Sequence, residues 1–149
     1  MPRVINDAGS TLIKSFEGLR LQAYLDVAGI PTIGYGHIQG VTMGEIITEA
    51  RADAFLADDL GSTESFVDAA TAVAAATTDN QFAAMVSLCF NIGSGNFKTS
   101  SVLKFHLAGQ AAAAAAAFLL WDMAHVDGTL QEVDGLLARR RAERTLYLT

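Results

Sequence analysis

The sequence has few of the residues that cross-link small folds. Cys89 is the one cysteine among 149 residues, so no disulfide can form within the chain. It lies in an apolar helical pattern and is interpreted as a small core residue. No cluster of cysteine and histidine suggests a structural zinc site. We therefore expect neither a disulfide nor a structural zinc site, and no metal or organic cofactor is expected.

Long apolar runs are also missing, although hydrophobic residues make up 51% of the chain. No run approaches the roughly 20 residues that a membrane-spanning helix requires. Residues 1–10 lack the apolar core of a signal peptide. The sequence thus predicts neither a signal peptide nor a membrane anchor.

Positive charge is scarce, with 10 Lys and Arg against 16 Asp and Glu. Four basic residues face ten acidic ones in residues 1–75, whereas residues 76–149 hold six of each, so the acidic excess belongs to the front half. Arg139, Arg140, Arg141 and Arg144 form one short helical cluster rather than a basic stripe. The charge pattern therefore argues against a nucleic-acid partner.

The chain length fits a single domain, 1–149, with two lobes and a lobe boundary near residues 60–76. Helical periodicity begins at Thr48 and continues from Ser62 to Ala76, which predicts a long helix joining the lobes, with Gly61 as a stop or kink. A flexible linker is the alternative for the second part. Residues 39–47 are interpreted as a loop or a last strand.

Helical patterns dominate the second half of the chain. Asp79 is predicted to be the N-cap of a helix over 81–91, and Gly109 is predicted to close a helix that starts at Ser100 and Ser101. Seven alanines favour a helix over 110–121. Trp121 at its end is interpreted as a core residue, with a platform for a sugar ring as the alternative. A closing helix is predicted over 134–148.

The segment that bears on function begins at Glu17. Apolar residues at helical spacing precede it, and Gly18 is a typical left-handed helix end. Residues 19–25 then alternate as in a half-buried strand, with Leu19, Leu21 and Ala23 as its apolar side. Glu17 is therefore predicted in the last helical turn, where the helix carbonyls favour the protonated form of an acid. A solvated Glu at a frayed helix end is the alternative.

Two further oxygen-bearing side chains follow at fixed spacing. Eight residues separate Glu17 from Asp26 and five separate Asp26 from Thr32, with Gly29 and Pro31 in the turn between them. If residues 19–25 and 31–38 are paired strands, Asp26 and Thr32 lie at one hairpin end. Two carboxyls and a hydroxyl would then share one site.

This spacing resembles the signature of the lysozymes of tailed phages, glycoside hydrolase family 24. The frame around it matches as well: Glu17-Gly-Leu-Arg20 with Tyr24, then Thr32-Ile-Gly-Tyr-Gly-His37. The resemblance implies an α+β, mostly helical fold, with a small antiparallel β-sheet lobe, a long connecting helix and a helical C-terminal lobe.

The same resemblance implies an endolysin that cleaves the β-1,4 bond between N-acetylmuramic acid and N-acetylglucosamine in peptidoglycan, for host cell lysis. Glu17 would be the general acid, and Asp26 with Thr32 would hold the attacking water. Carboxyls about 6.5 to 9.5 Å apart would imply inversion, whereas a separation near 5 Å would favour a covalent intermediate on Asp26. Sequence leaves that choice open.

Substrate contacts are assigned in the same way. The residues that the resemblance suggests for sugar binding are Tyr24, Ile38, Phe90, Asn91 and Ser100, with Phe90 equally interpretable as core. His37 is expected to be structural and paired with a carboxylate. An arginine among residues 139–141 would brace the region of the catalytic acid, with ordinary surface charge for the other two. Residues 122–133 depart from the relatives' pattern, and sugar contacts from that loop are therefore not expected.

The resemblance further implies a monomer that acts on peptidoglycan glycan strands and has no nucleic-acid partner. It would accumulate in the host cytoplasm and reach the periplasm and wall through a holin-type protein. Two other functions stay open on the sequence. One is a non-catalytic wall-binding or virion protein on the same fold, and the other is a lytic transglycosylase using Glu17 alone.

Overall fold

A computed structural model describes residues 3–74, 76–126, 129–132 and 134–149. The chain divides into two compact units. The small unit comprises residues 13–62, and the helical unit comprises residues 3–12 together with 63–149. The predicted fold class, α+β and mostly helical with a small antiparallel sheet, is confirmed. The single domain with a lobe boundary near residues 60–76 stays a prediction.

The small unit contains the end of helix α1 (Asp7–Glu17) and a hairpin of strands β1 (Arg20–Leu25) and β2 (Pro31–Gly34). The strands are antiparallel, and Tyr24 lies opposite Thr32. The second strand is shorter than the predicted 31–38. It ends because the chain reverses tightly, so that Ile33 and His37 exchange two backbone hydrogen bonds of 2.9 Å.

The segment predicted as a loop or last strand lies along the free edge of β1. Its backbone bridges Gln22 to Ile46, and the amide of Ile47 donates to the carbonyl of Leu21 at 2.9 Å. The expected apolar side of β1 is only partly buried, because Ala23 is 7% exposed whereas Leu21 is 41% exposed. Alternation therefore predicted the strand correctly and the burial of Leu19 and Leu21 wrongly.

Helix α2 (Glu49–Thr71) confirms the long helix predicted after Thr48. The Thr48 hydroxyl accepts a hydrogen bond from the Arg51 amide at 3.1 Å, which satisfies one of the unpaired donors of the first turn. The helix passes through Gly61 without a break and ends at Thr71, five residues before the predicted Ala76. A flexible linker after Ser62 is therefore wrong as far as Thr71.

The helical unit consists mainly of short helices. They are α3 (Asp79–Ile92), α4 (Ser94–Lys98), α5 (Ser101–Leu107), α6 (Ala111–Phe118), a 3-10 turn (Leu119–Trp121) and α7 (Asp134–Leu148). Helix α3 contributes most of the core, since every side chain from Phe82 to Cys89 is buried. It packs against α7, which begins and ends where predicted.

Two expectations for this unit are wrong. The N-cap of α3 is Thr78 rather than Asp79, because the Thr78 hydroxyl accepts from the Gln81 amide while the Gln81 side chain accepts from the Thr78 amide. Trp121 is half-buried instead of a core anchor. Phe118 takes that place: it is fully buried, and its ring centroid lies 5.4 Å from that of Tyr147 on α7.

The segment expected to be a divergent loop contains a second hairpin. Strands β3 (Met123–Val126) and β4 (Thr129–Glu132) pair antiparallel, with Met123 opposite Glu132. Asp127, Gly128 and Val133, which belong to the divergent sequence, lie outside the described residues. That this segment makes no sugar contacts stays a prediction.

Candidate active site

Glu17 lies where the sequence predicts, as the last residue of α1. The helix ends because Gly18 adopts a positive φ of 75° while its amide donates to the Lys14 carbonyl at 3.0 Å. The Glu17 side chain is half-buried. Its Oε2 lies 3.6 Å from the position that a Cβ on Gly36 would occupy. The carboxyl is therefore held beside the tight turn that follows β2.

That turn explains the glycines on either side of Tyr35. Gly36 has a φ of 87°, a conformation that L side chains rarely adopt, and any side chain added there would contact the Glu17 carboxyl. Gly34 has a φ of 67°, and a Cβ there would lie 3.3 Å from the Cβ of Ala52. The Gly-Tyr-Gly sequence thus allows the chain to reverse next to Glu17.

Asp26 is the first residue after β1 and organises the hairpin turn. Its Oδ1 accepts hydrogen bonds from the amides of Ala28 at 2.8 Å and Ile30 at 2.9 Å. Its own amide donates to the Ile30 carbonyl at 3.0 Å. Among the described residues no donor is bonded to Oδ2. One carboxylate oxygen therefore fixes the turn and the other remains able to accept.

Thr32 lies in β2 with its side chain 3% exposed. Its hydroxyl donates to the Ile30 carbonyl at 2.8 Å. Because the single hydroxyl proton is used there, any further polar partner of Thr32 must donate to the oxygen. Asp26 and Thr32 are thus both bonded to the peptide groups of Ile30, which fixes one relative to the other.

The three proposed catalytic residues all belong to the small unit and lie along one hairpin. Glu17 lies beside Gly36, in the turn that follows β2. Asp26 and Thr32 lie at the opposite end of the hairpin, where the chain turns from β1 to β2. The hairpin thus carries a carboxyl group beside one end and a carboxylate and a hydroxyl group at the other. Their catalytic assignment stays a prediction.

The expected substrate-binding residues are divided between the units. In the small unit, Tyr24 is half-buried beneath the guanidinium of Arg20, at 4.2 Å from the ring centroid, and Ile38 is 53% exposed. In the helical unit, Phe90 is half-buried. Asn91 is exposed, and its Oδ1 accepts a hydrogen bond from Arg140 at 2.9 Å.

Ser100, the fifth of these residues, has a structural role. It is buried, its hydroxyl donates to the Phe97 carbonyl at 2.7 Å, and it accepts from the Leu103 amide as the N-cap of α5. These bonds occupy the hydroxyl, so they give no support to a sugar contact.

His37 is paired with a carboxylate, as the resemblance implies. Its Nδ1 contacts both carboxylate oxygens of Asp59, at 2.9 and 3.1 Å, and its ring stacks on Phe55 with centroids 4.0 Å apart. The guanidinium of Arg51 also lies over the Phe55 ring, 4.6 Å from its centroid. Phe55 and Arg51 lie one helical turn apart on α2, which is a signal the sequence carries.

The closing helix differs from the expectation that two of its three arginines are ordinary surface charges. Arg139 and Arg140 are 4% and 0% exposed, whereas Arg141 is exposed. Both buried guanidinium groups contact Glu143, which is also fully buried, and Arg140 Nε lies 2.6 Å from Glu143 Oε1. Burial raises the pKa of Glu143, although the neighbouring arginines oppose this rise.

Glu143 also connects α7 to α3. Its Oε2 accepts a hydrogen bond from the buried hydroxyl of Ser87, and Arg139 donates to the Ser87 carbonyl at 3.2 Å. We call Ser87, Arg139, Arg140 and Glu143 the buried charge cluster. Periodicity could have suggested it, because Arg139 and Arg140 precede Glu143 by four and three residues on one helix face.

No group of three or more His, Cys, Asp or Glu side chains that could hold a metal ion occurs in the described part of the chain. None of the helices described there is long and apolar enough to cross a membrane.

Comparison with known proteins identifies the class. The family model for phage lysozyme matches residues 14–143. The endolysin of Acyrthosiphon pisum secondary endosymbiont phage 1 is 41% identical over 143 residues, covering 96% of this chain and 97% of the relative.

Solved structures agree. An endolysin from Escherichia coli phage FAHEc1 has a TM-score of 0.91 at 40% identity, covering 98% of this chain and 94% of that one. A mutant lysozyme of phage P22 has a TM-score of 0.87 at 41% identity, covering 99% of both chains. The fold and these matches define a glycoside hydrolase of the muramidase type. The chain belongs to the phage lysozyme family, and it is an enzyme that hydrolyses peptidoglycan as an endolysin does.

Proposed function

We propose that this enzyme cleaves the β-1,4 bond between N-acetylmuramic acid and N-acetylglucosamine with Glu17 as general acid and a water held by Asp26 and Thr32. Glu17 protonates the leaving oxygen, which is the assistance that a glycosidic bond requires. Asp26 accepts a proton from the water as the water attacks the anomeric carbon.

The observation that supports this assignment is the division of hydrogen bonds around Ile30. Asp26 Oδ1 and the Thr32 hydroxyl proton are bonded within the turn, whereas Asp26 Oδ2 and the Thr32 lone pairs are available as acceptors. A water that donates one proton to each of them keeps a lone pair for the sugar. The turn therefore orients the attacking water as well as holding it.

Direct attack by this water inverts the anomeric centre, so the β-linked substrate gives an α-configured reducing end. The two bonds that fix Asp26 Oδ1 support this outcome over attack by the carboxylate itself, because a nucleophilic Asp26 would have to move towards the sugar while it remains bonded to the turn. A lytic transglycosylase would need neither Asp26 nor Thr32 and is not favoured.

Proton NMR of the newly formed reducing ends, recorded within the first minutes on soluble glycan strands, tests the mechanism. We expect the α-anomer first, followed by mutarotation. The β-anomer first would contradict direct water attack, and a product without a reducing end would indicate transglycosylation.

For delivery we propose that the chain acts as a monomer that accumulates in the host cytoplasm, and that a separate holin-type protein gives it access to the periplasm and wall. The relationship to phage endolysins supports this route. Expression alone should leave host cells intact until the inner membrane is permeabilised with chloroform. Lysis without permeabilisation would argue against the route, and sedimentation equilibrium of the purified chain tests the monomer.

A further inference from the structure

Arg20 differs from the other basic residues of the small unit in its position on the hairpin. Residues 13–62 contain three basic side chains against seven Asp and Glu. Lys14 pairs with Asp53 at 2.9 Å, and Arg51 lies over Phe55 on helix α2. Arg20 lies on the hairpin itself, and among the described residues no carboxylate forms an ion pair with it.

The Arg20 side chain is held in place by an aromatic ring. Its guanidinium carbon lies 4.2 Å from the centroid of Tyr24, a separation typical of a cation–π contact. A guanidinium in contact with a ring face can still bind a planar anion through two parallel hydrogen bonds from its N–H groups. Arg20 is an exposed residue, so a ligand in solution can reach it.

The position of this group relates it to the proposed catalytic residues. Tyr24 lies directly opposite Thr32, and side chains of directly opposed residues share one face of a sheet. Asp26 follows Tyr24 by two residues, and Arg20 lies opposite Gly34, with a shift in the strand register between Arg20 and Tyr24. Because the guanidinium lies over the Tyr24 ring, it lies on the sheet face that Tyr24 shares with Thr32. Arg20 therefore belongs to the hairpin that carries the proposed water site.

We propose that Arg20, supported by Tyr24, forms a subsite that binds a carboxylate on the muramic acid side of the substrate. The proposal rests on the function proposed above. Each muramic acid carries a lactyl group that is either a free carboxylate or is joined to a stem peptide with free carboxylates. The small unit has four more acidic than basic residues, seven against three, and would repel such a group unless a cation faced it.

Equilibrium binding separates this role from catalysis. Dissociation constants are measured by calorimetry in the Glu17→Gln background, with Arg20→Gln added, on soluble peptidoglycan strands and on the same strands after conversion of their carboxylates to carboxamides. We expect Arg20→Gln to weaken binding about tenfold on native strands, as loss of a charge-assisted contact should, and to leave binding to amidated strands unchanged.

Arg51→Gln is the matched control, because it removes the same charge and the same kind of aromatic contact from the same unit. Arg20→Lys keeps the charge and loses the planar guanidinium. Its dissociation constant on native strands should lie between those of the Arg20 protein and the Arg20→Gln variant. Strands stripped of stem peptides by an amidase identify the source: a retained effect indicates the lactyl carboxylate, and a lost effect indicates the peptide.

Three results would overturn the subsite. The first is that Arg20→Gln weakens binding to native and amidated strands equally. The second is that Arg51→Gln weakens binding to native strands as much as Arg20→Gln does. The third is that the protein with Arg20 binds native strands no more tightly than amidated ones. Failure of the proposed function has a different signature, since the unsubstituted chain would then release no reducing ends from the same strands.

Discussion

Different kinds of interaction fix the structure within each of the two units. In the small unit, residues proposed for catalysis are fixed by backbone groups close in sequence: the Ile30 amide donates to Asp26, and the Ile30 carbonyl accepts from Thr32. In the helical unit, the buried charge cluster joins Ser87 to Glu143, 56 residues apart. The comparison indicates that local turn geometry sets the chemistry, whereas long-range contacts between helices set much of the stability.

The exposure of apolar side chains also differs between the first hairpin and helix α3. Leu25, Val27 and Ile30 at the tip of the first hairpin are at least 41% exposed, whereas α3 buries eight consecutive side chains. The tip of the first hairpin thus contributes little apolar burial. Substitutions at its polar site should change activity more than stability, and the reverse should hold for the buried charge cluster.

The largest expected effect is on activity. Glu17→Gln removes the proton donor while keeping the side-chain volume, so peptidoglycan hydrolysis should fall at least about a thousandfold, within the range for general acid catalysis. The melting temperature should change by only a few degrees. Turbidity clearing and calorimetry test both halves. Retained clearing would exclude Glu17 as the acid, and a large loss of stability would remove the contrast between the units.

The next effect is on stability. Glu143→Gln leaves the buried guanidinium groups of Arg139 and Arg140 without their carboxylate, which should lower the free energy of unfolding by about 3 to 5 kcal/mol. Glu49→Gln, the same change at an exposed position, should cost less than about 1 kcal/mol. Urea unfolding followed by circular dichroism measures both. Equal small losses would show that the cluster contributes little.

The smallest effect concerns pH. His106 is buried between Thr77, 2.9 Å from its Nε2, and Tyr147, 2.6 Å from its Nδ1, and burial lowers the pKa of His106. The unfolded chain therefore binds a proton at higher pH than the folded one, so stability should decline as pH falls below the ordinary histidine pKa of about 6.5.

His106→Gln keeps hydrogen-bonding groups and cannot titrate, so its stability should vary less with pH than that of the unsubstituted chain between about pH 7 and 5. Subtracting the two unfolding free energies removes the contribution of acids common to both proteins, such as Glu64, whose pKa burial raises. A difference that does not change with pH would contradict the proposed titration.

Sequence was informative where the cause is local. Gly18 predicts the end of α1, and alternation predicts β1. The spacing of Glu17, Asp26 and Thr32 indicates three residues that lie along the first hairpin. These features depend on backbone conformation over a few residues, which residue type largely sets.

Sequence was misleading where burial depends on distant partners. The sequence predicts surface charge for two of Arg139, Arg140 and Arg141, because arginine is rarely buried without a partner, whereas Arg139 and Arg140 are both buried. Their partner Glu143 was visible on the same helix, but the Ser87 contact from α3 was not. Trp121 failed as a core residue for the same reason, since nothing local to it shows that Phe118 fills that position.

The anchoring of Asp26 and Thr32 to the amide and the carbonyl of Ile30 makes the number of intervening residues more constrained than their identity. Val27 and Ala28 face outward and contribute through their backbones, so many side chains should be accepted there. An inserted or deleted residue would instead shift the Ile30 amide away from Asp26 or the Ile30 carbonyl away from Thr32. Libraries that vary this turn at constant length would therefore explore new sugar contacts while keeping the water site intact.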